Sequence, residues 1–169
     1  MSGSAKIVLM DVWQPFAAAQ VGASAALAGL VFVGVSINLA RIVSVPGLAG
    51  RAAEALAVLL ALLVVASLLL VPGQTTALLG AELLAVGLLD WAAIVTIQLR
   101  ARQTWSAQHP GWFAVRIGLG QAATLPFVAA GIGVLLVGES ALGWLVVGTI
   151  GAFSVAFLNA WVLLIEIER

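Results

Sequence analysis

The chain has 169 residues, 63% hydrophobic and 8% charged, with seven Lys+Arg balanced by seven Asp+Glu. This composition excludes an ordinary soluble domain, offers no basic run for nucleic acid and, with no cysteine, allows neither disulfides nor thiolate metal sites. Five apolar stretches fill most of it: Phe16–Ile42, Ala52–Val71, Ala77–Leu99, Ile117–Val137 and Ala141–Ile165. About 20 apolar residues cross the hydrocarbon layer as a helix, so the sequence predicts an all-α polytopic membrane protein. One transmembrane domain, a bundle of five helices, accounts for the whole chain.

The first stretch follows Lys6, Asp11 and Trp13 and runs through Asn38 to Arg41 without a small-residue cleavage site. It is too long for the apolar core of a signal peptide and is expected to remain as the first span. Gly22, Ala25, Ala26 and Gly29 form a stripe of small residues along it. In lipid, close packing and polar contacts drive helix association rather than apolar burial. That stripe is therefore expected to meet protein, inside one subunit or between subunits. The first connection carries Arg41, the turn sequence Val45-Pro46-Gly47 and Arg51. Arg51 and Glu54 open the second span as an i,i+3 pair, worth little where exposed.

The second connection, Pro72–Thr76, is short enough to make spans two and three an antiparallel hairpin. The third span contains two acids. Glu82 lies near one end and Asp90 close to the middle, about 12 Å of rise and about 80° of rotation apart. A charge at mid-membrane costs roughly 2.5–3.5 kcal/mol by insertion measurements. Asp90 must then face the bundle interior or water, or be neutral, with Trp91 helping to exclude solvent. As a functional group it would handle a proton or cation, with Glu82 as outward neighbour and Asn38, Gln121 and Asn159 lining the other half. The plainer reading makes it a neutral acid donating a hydrogen bond, for example to the carbonyl of Ala122. Asn38, Gln121 and Asn159 would then simply tie helices together.

The third connection is the longest, with its polar run at Arg100–Gly111; it holds His109 and carries the basic residues Arg100, Arg102 and Arg116. His109 has no second ligand in sequence and reads as a plain loop residue. Pro126 interrupts the fourth span and crowds the Ala122 carbonyl, so a kink is expected there, with Gln121 and Thr124 nearby. Gly138-Glu139-Ser140 reads as a C-cap glycine followed by a Ser N-cap. In the fifth span Gly148, Ala152, Ala156 and Ala160 recur every fourth residue, with Asn159 near that face, marking a second packing stripe. Gly131 and Gly133 do not make a nucleotide fingerprint, since no strand precedes them.

Lys and Arg crowd the first and third connections and are missing from the second and fourth. By the positive-inside rule the N-terminus lies outside and the C-terminus in the cytoplasm, with Trp13 and Trp144 at the outer interface and Trp105 and Trp112 at the inner one. No nucleophile–base pair, zinc spacing or phosphate loop occurs, which points away from an enzyme and from cofactor or metal chemistry. Two functions stay open. One is a non-enzymatic protein acting through helix contacts, as a homo-oligomer or an accessory subunit of another membrane protein. The other is a small oligomeric channel or proton-coupled transporter built around Asp90.

Three segments, Leu30–Leu56 (LVFVGVSINLARIVSVPGLAGRAAEAL), Val71–Gln74 (VPGQ) and Leu158–Ile167 (LNAWVLLIEI), resemble small bacterial multi-pass membrane proteins without an assigned activity. Some members are labelled modulators of the membrane protease FtsH. The resemblance implies the bacterial inner membrane. Six Arg against one Lys, with abundant Ala, Gly, Val and Leu, suggest a GC-rich bacterial gene.

Overall fold

In the computed structural model the backbone is described for residues 2–105 and 110–168, and side chains for 12–102 and 111–165. Those residues form α1 (Ser2–Ile37), α2 (Leu39–Ser44), α3 (Leu48–Leu68), α4 (Thr76–Trp105), α5 (Pro110–Val137), a 3-10 turn (Gly138–Leu142) and α6 (Gly143–Glu168). Among the described residues there is no strand. Four helical stretches are long and apolar enough to cross a membrane: Val12–Ile37, Leu48–Leu68, Thr76–Arg102 and Gly111–Ile165. The last runs to 55 residues and folds back on itself at Gly138, whose φ of +78° is the left-handed conformation that glycine adopts without penalty.

The first apolar stretch is not one helix. It breaks at Asn38 (φ −107°, ψ 17°), where the side-chain Nδ2 donates to the Gly34 carbonyl at 3.0 Å. A side chain bonding to its own backbone competes with the helical ladder, which is why Asn weakens a helix interior. The short α2 follows, then Val45, extended ahead of Pro46, and Gly47 at φ +88° launches α3. The long third connection is also shorter than its polarity suggests. Helix α4 continues through Arg100 to Trp105, and Pro110 starts α5, a first-turn position where its missing N–H costs nothing. His109 lies outside the described residues. Ser140 does not cap α6: it lies within the 3-10 turn and its hydroxyl donates back to the Val137 carbonyl.

Helix α3 is the hub. Ala55, Val58, Leu59, Leu62 and Val65 are fully buried, and the helix packs against α1, α4 and α6. Helices α4, α5 and α6 run antiparallel in sequence, with α5 between the other two. Their backbones touch where glycine removes the side chain. A Cβ on Gly131 of α5 would fall 2.4 Å from the Leu84 backbone nitrogen of α4. A Cβ on Gly151 of α6 would fall 2.7 Å from the Ala122 carbonyl oxygen of α5. The carbonyl crowded by Pro126 thus faces the bare backbone of α6. Gly148, Ala152 and Ala156 pack into the same seam, Gly148 against the Phe127 ring.

Helix α1 stands apart. Only 11% of its most apolar stretch is buried, against 50% for α3. Gly22, Ala25, Ala26 and Gly29 are exposed, and nothing lies within 4 Å of where a Cβ on either glycine would sit. Packing of this stripe inside one subunit is therefore not what the fold does; the side of α1 that meets α3 carries Ala17, Ser24, Ala28 and Val31 instead.

Candidate functional site

Charge inside the bundle gathers at the end where α3 and α5 begin and α4 and α6 finish. Glu54 and Arg116 each sit six residues past the first residue of their helix, about 9 Å along it, so the two run to the same depth. Glu54 is 2% exposed. Arg116 meets it side-on, with Nη2 2.9 Å from Oε1 and Nε 3.1 Å from Oε2. The Nε contact is a hydrogen bond, whereas Nη2 and Oε1 lie at ion-pair distance without hydrogen-bond alignment, so the pair is held by charge and one hydrogen bond.

Asn159 of α6 completes the group. Its Nδ2 donates to Glu54 Oε2 at 3.2 Å, and its Oδ1 accepts from Arg51 Nη1 at 3.4 Å. Only that orientation of the amide presents a donor to the carboxylate and an acceptor to the guanidinium. From α4, Gln98 Nε2 donates to the Arg116 carbonyl at 3.3 Å. Gly120 makes room for this amide, since a Cβ there would fall 2.3 Å from Nε2. Four helices are thereby pinned at one level by one polar network. Its ionised groups include the guanidinium cations of Arg51 and Arg116 and the carboxylate of Glu54.

The network forms one wall of a cavity of about 380 Å³ between α3, α4, α5 and α6. The remaining walls are apolar: Ile94, Phe113, Leu119, Val155, Leu158 and Trp161. A second cavity, about 500 Å³, lies on the other side of α5 between Trp91, Gln98, Arg102 and Phe113.

The acids and amides singled out in the sequence do not form one pathway. Asp90 lies on the buried stripe Leu83, Gly87, Asp90, Ile94 and Gln98 of α4, 6% exposed, and its buried Oδ2 has no hydrogen-bond partner. Glu82 accepts a hydrogen bond from Gln74 Nε2, Gln121 accepts one from Trp91 Nε1 at 2.7 Å, and Asn38 bonds within its own helix. Of that set only Asn159 enters a multi-helix cluster. The hydrogen bond from Asp90 to the Ala122 carbonyl is not formed.

Two residues that sequence reading passed over build the site. Glu54 is not half of an exposed i,i+3 pair with Arg51; it is buried and pairs across the bundle with Arg116. Arg116 does not belong to a connection; it lies well inside α5, with 11% of its side chain exposed. The available signal was the lone acid of span two facing a lone base of span four at the same end and depth. Among the described residues no group of His, Asp and Glu could hold a metal ion. No family model, curated protein or solved structure matches the chain.

Proposed function

We propose that the chain is a non-enzymatic protein of the bacterial inner membrane that acts through helix–helix contacts, as a homo-oligomer or as a subunit of a larger membrane complex. It crosses the bilayer five times, with its N-terminus outside and its C-terminus in the cytoplasm. The observation that carries this reading is the uncovered small-residue face of α1. In lipid an exposed Leu is satisfied, whereas a face of Gly and Ala invites the close approach of another helix. The gathering of Arg51 and Arg116 at one end of the bundle supports the orientation. The resemblance of Leu30–Leu56 makes a membrane protease of the FtsH type the first partner to test.

The test is cross-linking. Ala26→Cys, buried against a second helix, should form a disulfide-linked dimer or a cross-link to one stoichiometric partner in isolated membranes. A chain that stays monomeric and alone in membranes overturns the reading.

A second reading rests on Asp90, a carboxyl oxygen buried without a partner in a membrane-crossing stretch. Intramembrane acids commonly mark proton or cation routes. Proton flux into liposomes that disappears in Asp90→Asn would favour it. The absence of flux in the unaltered protein would eliminate it.

A further inference from the structure

We propose that the cavity beside Glu54 and Arg116 binds an uncharged, lipid-soluble carbonyl compound of the quinone class, one of whose oxygens accepts a hydrogen bond from Arg116. The proposal concerns binding alone. It rests on the membrane location argued above and not on the contacts of α1.

Polar groups form an island in this lining. On α5, Phe113 and Val115 precede Arg116 and Leu119 follows it; on α6, Leu158 precedes Asn159 and Val162 follows it. Apolar side chains thus flank the polar wall on both sides along both helices. An amphiphile with its polar head at one end has no counterpart to that arrangement. A quinone does, since its carbonyl oxygens sit between ring substituents and an apolar chain. Sites for such molecules are mostly apolar, with a few placed polar groups and volumes of roughly 300–1,000 Å³, and this cavity of about 380 Å³ is one of that kind.

Arg116 supplies the donor. Its Nε bonds to Glu54 Oε2 and its buried Nη2 lies against Oε1. Nη1 has no hydrogen bond among the described residues and is not fully buried. An arginine donates and never accepts, so the ligand atom that meets Nη1 is an acceptor. The neighbouring amides are already committed: Asn159 donates to Glu54 and accepts from Arg51, and Gln98 Nε2 donates to the Arg116 carbonyl. Nothing further is asked of Arg51.

Glu54 decides the charge of the occupant. It is buried against the same guanidinium. A carboxylate or phosphate brought to Nη1 would lie a few ångströms from this carboxylate, and like charges repel strongly where water is scarce. A neutral carbonyl avoids that repulsion. The entrance agrees, because Trp112, Val115, Leu119, Leu158 and Trp161 line the cavity and are themselves exposed. That rim is apolar, as entry from the hydrocarbon layer requires, and an empty gap of this size would forfeit packing contacts that a ring and chain restore.

The experiment is photolabelling of the full chain in proteoliposomes with an azido-substituted decylubiquinone, followed by peptide mapping. Label should fall on residues 112–119 or 155–162. Decylubiquinone should displace it, whereas decanoic acid and decylbenzene should not at the same concentration. Equal displacement by decanoic acid overturns the uncharged ligand, and equal displacement by decylbenzene overturns the hydrogen bond. Label confined to other segments overturns the site. Arg116→Lys keeps a cation beside Glu54 but gives up Nη1. It should raise the decylubiquinone concentration needed for displacement about tenfold, the effect of one lost charge-assisted hydrogen bond, with the unfolding temperature little changed. An unchanged displacement curve in that folded variant overturns Arg116 as the donor. Should the variant unfold, the three competitors on the unaltered chain still decide the matter. Cross-linking through Ala26→Cys in the same vesicles reports on the helix-contact reading separately.

Discussion

Glu54 and Arg116, 62 residues apart in sequence, meet through two nitrogens and two oxygens at 2.9 and 3.1 Å in the interior of the bundle. The pair joins two helices, α3 and α5, that start at the same end. Removing one partner strands the other charge. Arg116→Met alone should therefore destabilise the fold by about 3–5 kcal/mol, whereas Glu54→Leu combined with Arg116→Met should cost far less. Denaturant unfolding in mixed micelles, run as a double-mutant cycle, measures the coupling. Equal losses in the single and double variants would mean that the contact contributes nothing.

Glycine contacts divide into tight and open positions, and substitutions should follow that division. Gly131→Ala drives a methyl to 2.4 Å from the Leu84 backbone and should cost about 1–3 kcal/mol, the usual penalty for overpacking. Gly22→Ala meets nothing within 4 Å and should be neutral or slightly stabilising in the isolated chain. The same unfolding assay ranks the two. A reversed ranking would contradict the seam between α4 and α5.

Enlarging the open face of α1 separates folding from association. Gly22→Leu with Gly29→Leu should leave unfolding of the monomer unchanged, because both positions are open. Dimer or partner cross-linking through Ala26→Cys should fall to background. If cross-linking persists at full yield, another surface makes the contact.

Asp90 distinguishes stability from function. Its Oδ2 is buried and unpartnered, so Asp90→Leu should stabilise the fold by about 1–3 kcal/mol, relieving the desolvation of an unmet polar group. A marked loss of stability would reveal a partner in the assembled state, and loss of liposome flux would turn attention to the channel reading.

Orientation has its own measurement. A membrane-impermeant thiol reagent should reach Gln74→Cys from outside whole cells and Ser106→Cys only after the cells are opened. The opposite pattern would invert the topology.

How far the sequence foretold this architecture depends on the range of the interaction concerned. The small-residue face of α6 and the position of Asp90 midway along α4 follow from residue type and helical period alone, and both are visible before folding is considered. The break at Asn38 was harder to see, because apolar residues continue on both sides and one side-chain bond to Gly34 decides it. The polar segment after Leu99 reads as a loop, yet Arg100–Trp105 contains no helix breaker, and α4 continues to Trp105. Sequence neighbours say little about the fate of Glu54 or Arg116. A carboxylate beside Arg51 reads as a surface pair until the bundle brings α5 alongside, and the resulting 62-residue contact leaves no periodic trace. For α1 the same limit applies in reverse: a stripe suited to packing does not say whether its partner lies in the same chain.

The contact between Gly151 and the Ala122 carbonyl has a mechanical consequence. Helices α5 and α6 are linked through the turn at Gly138 and pressed backbone to backbone about midway along their length, so their freedom to diverge grows beyond that fulcrum. They behave as tweezers: a tilt of a few degrees, hardly felt at Gly151, would spread or narrow the jaws at Trp112 and Trp161. Whatever occupies the space between those jaws sets the spacing of the tips, and with it the shape that this end of the bundle offers to its neighbours.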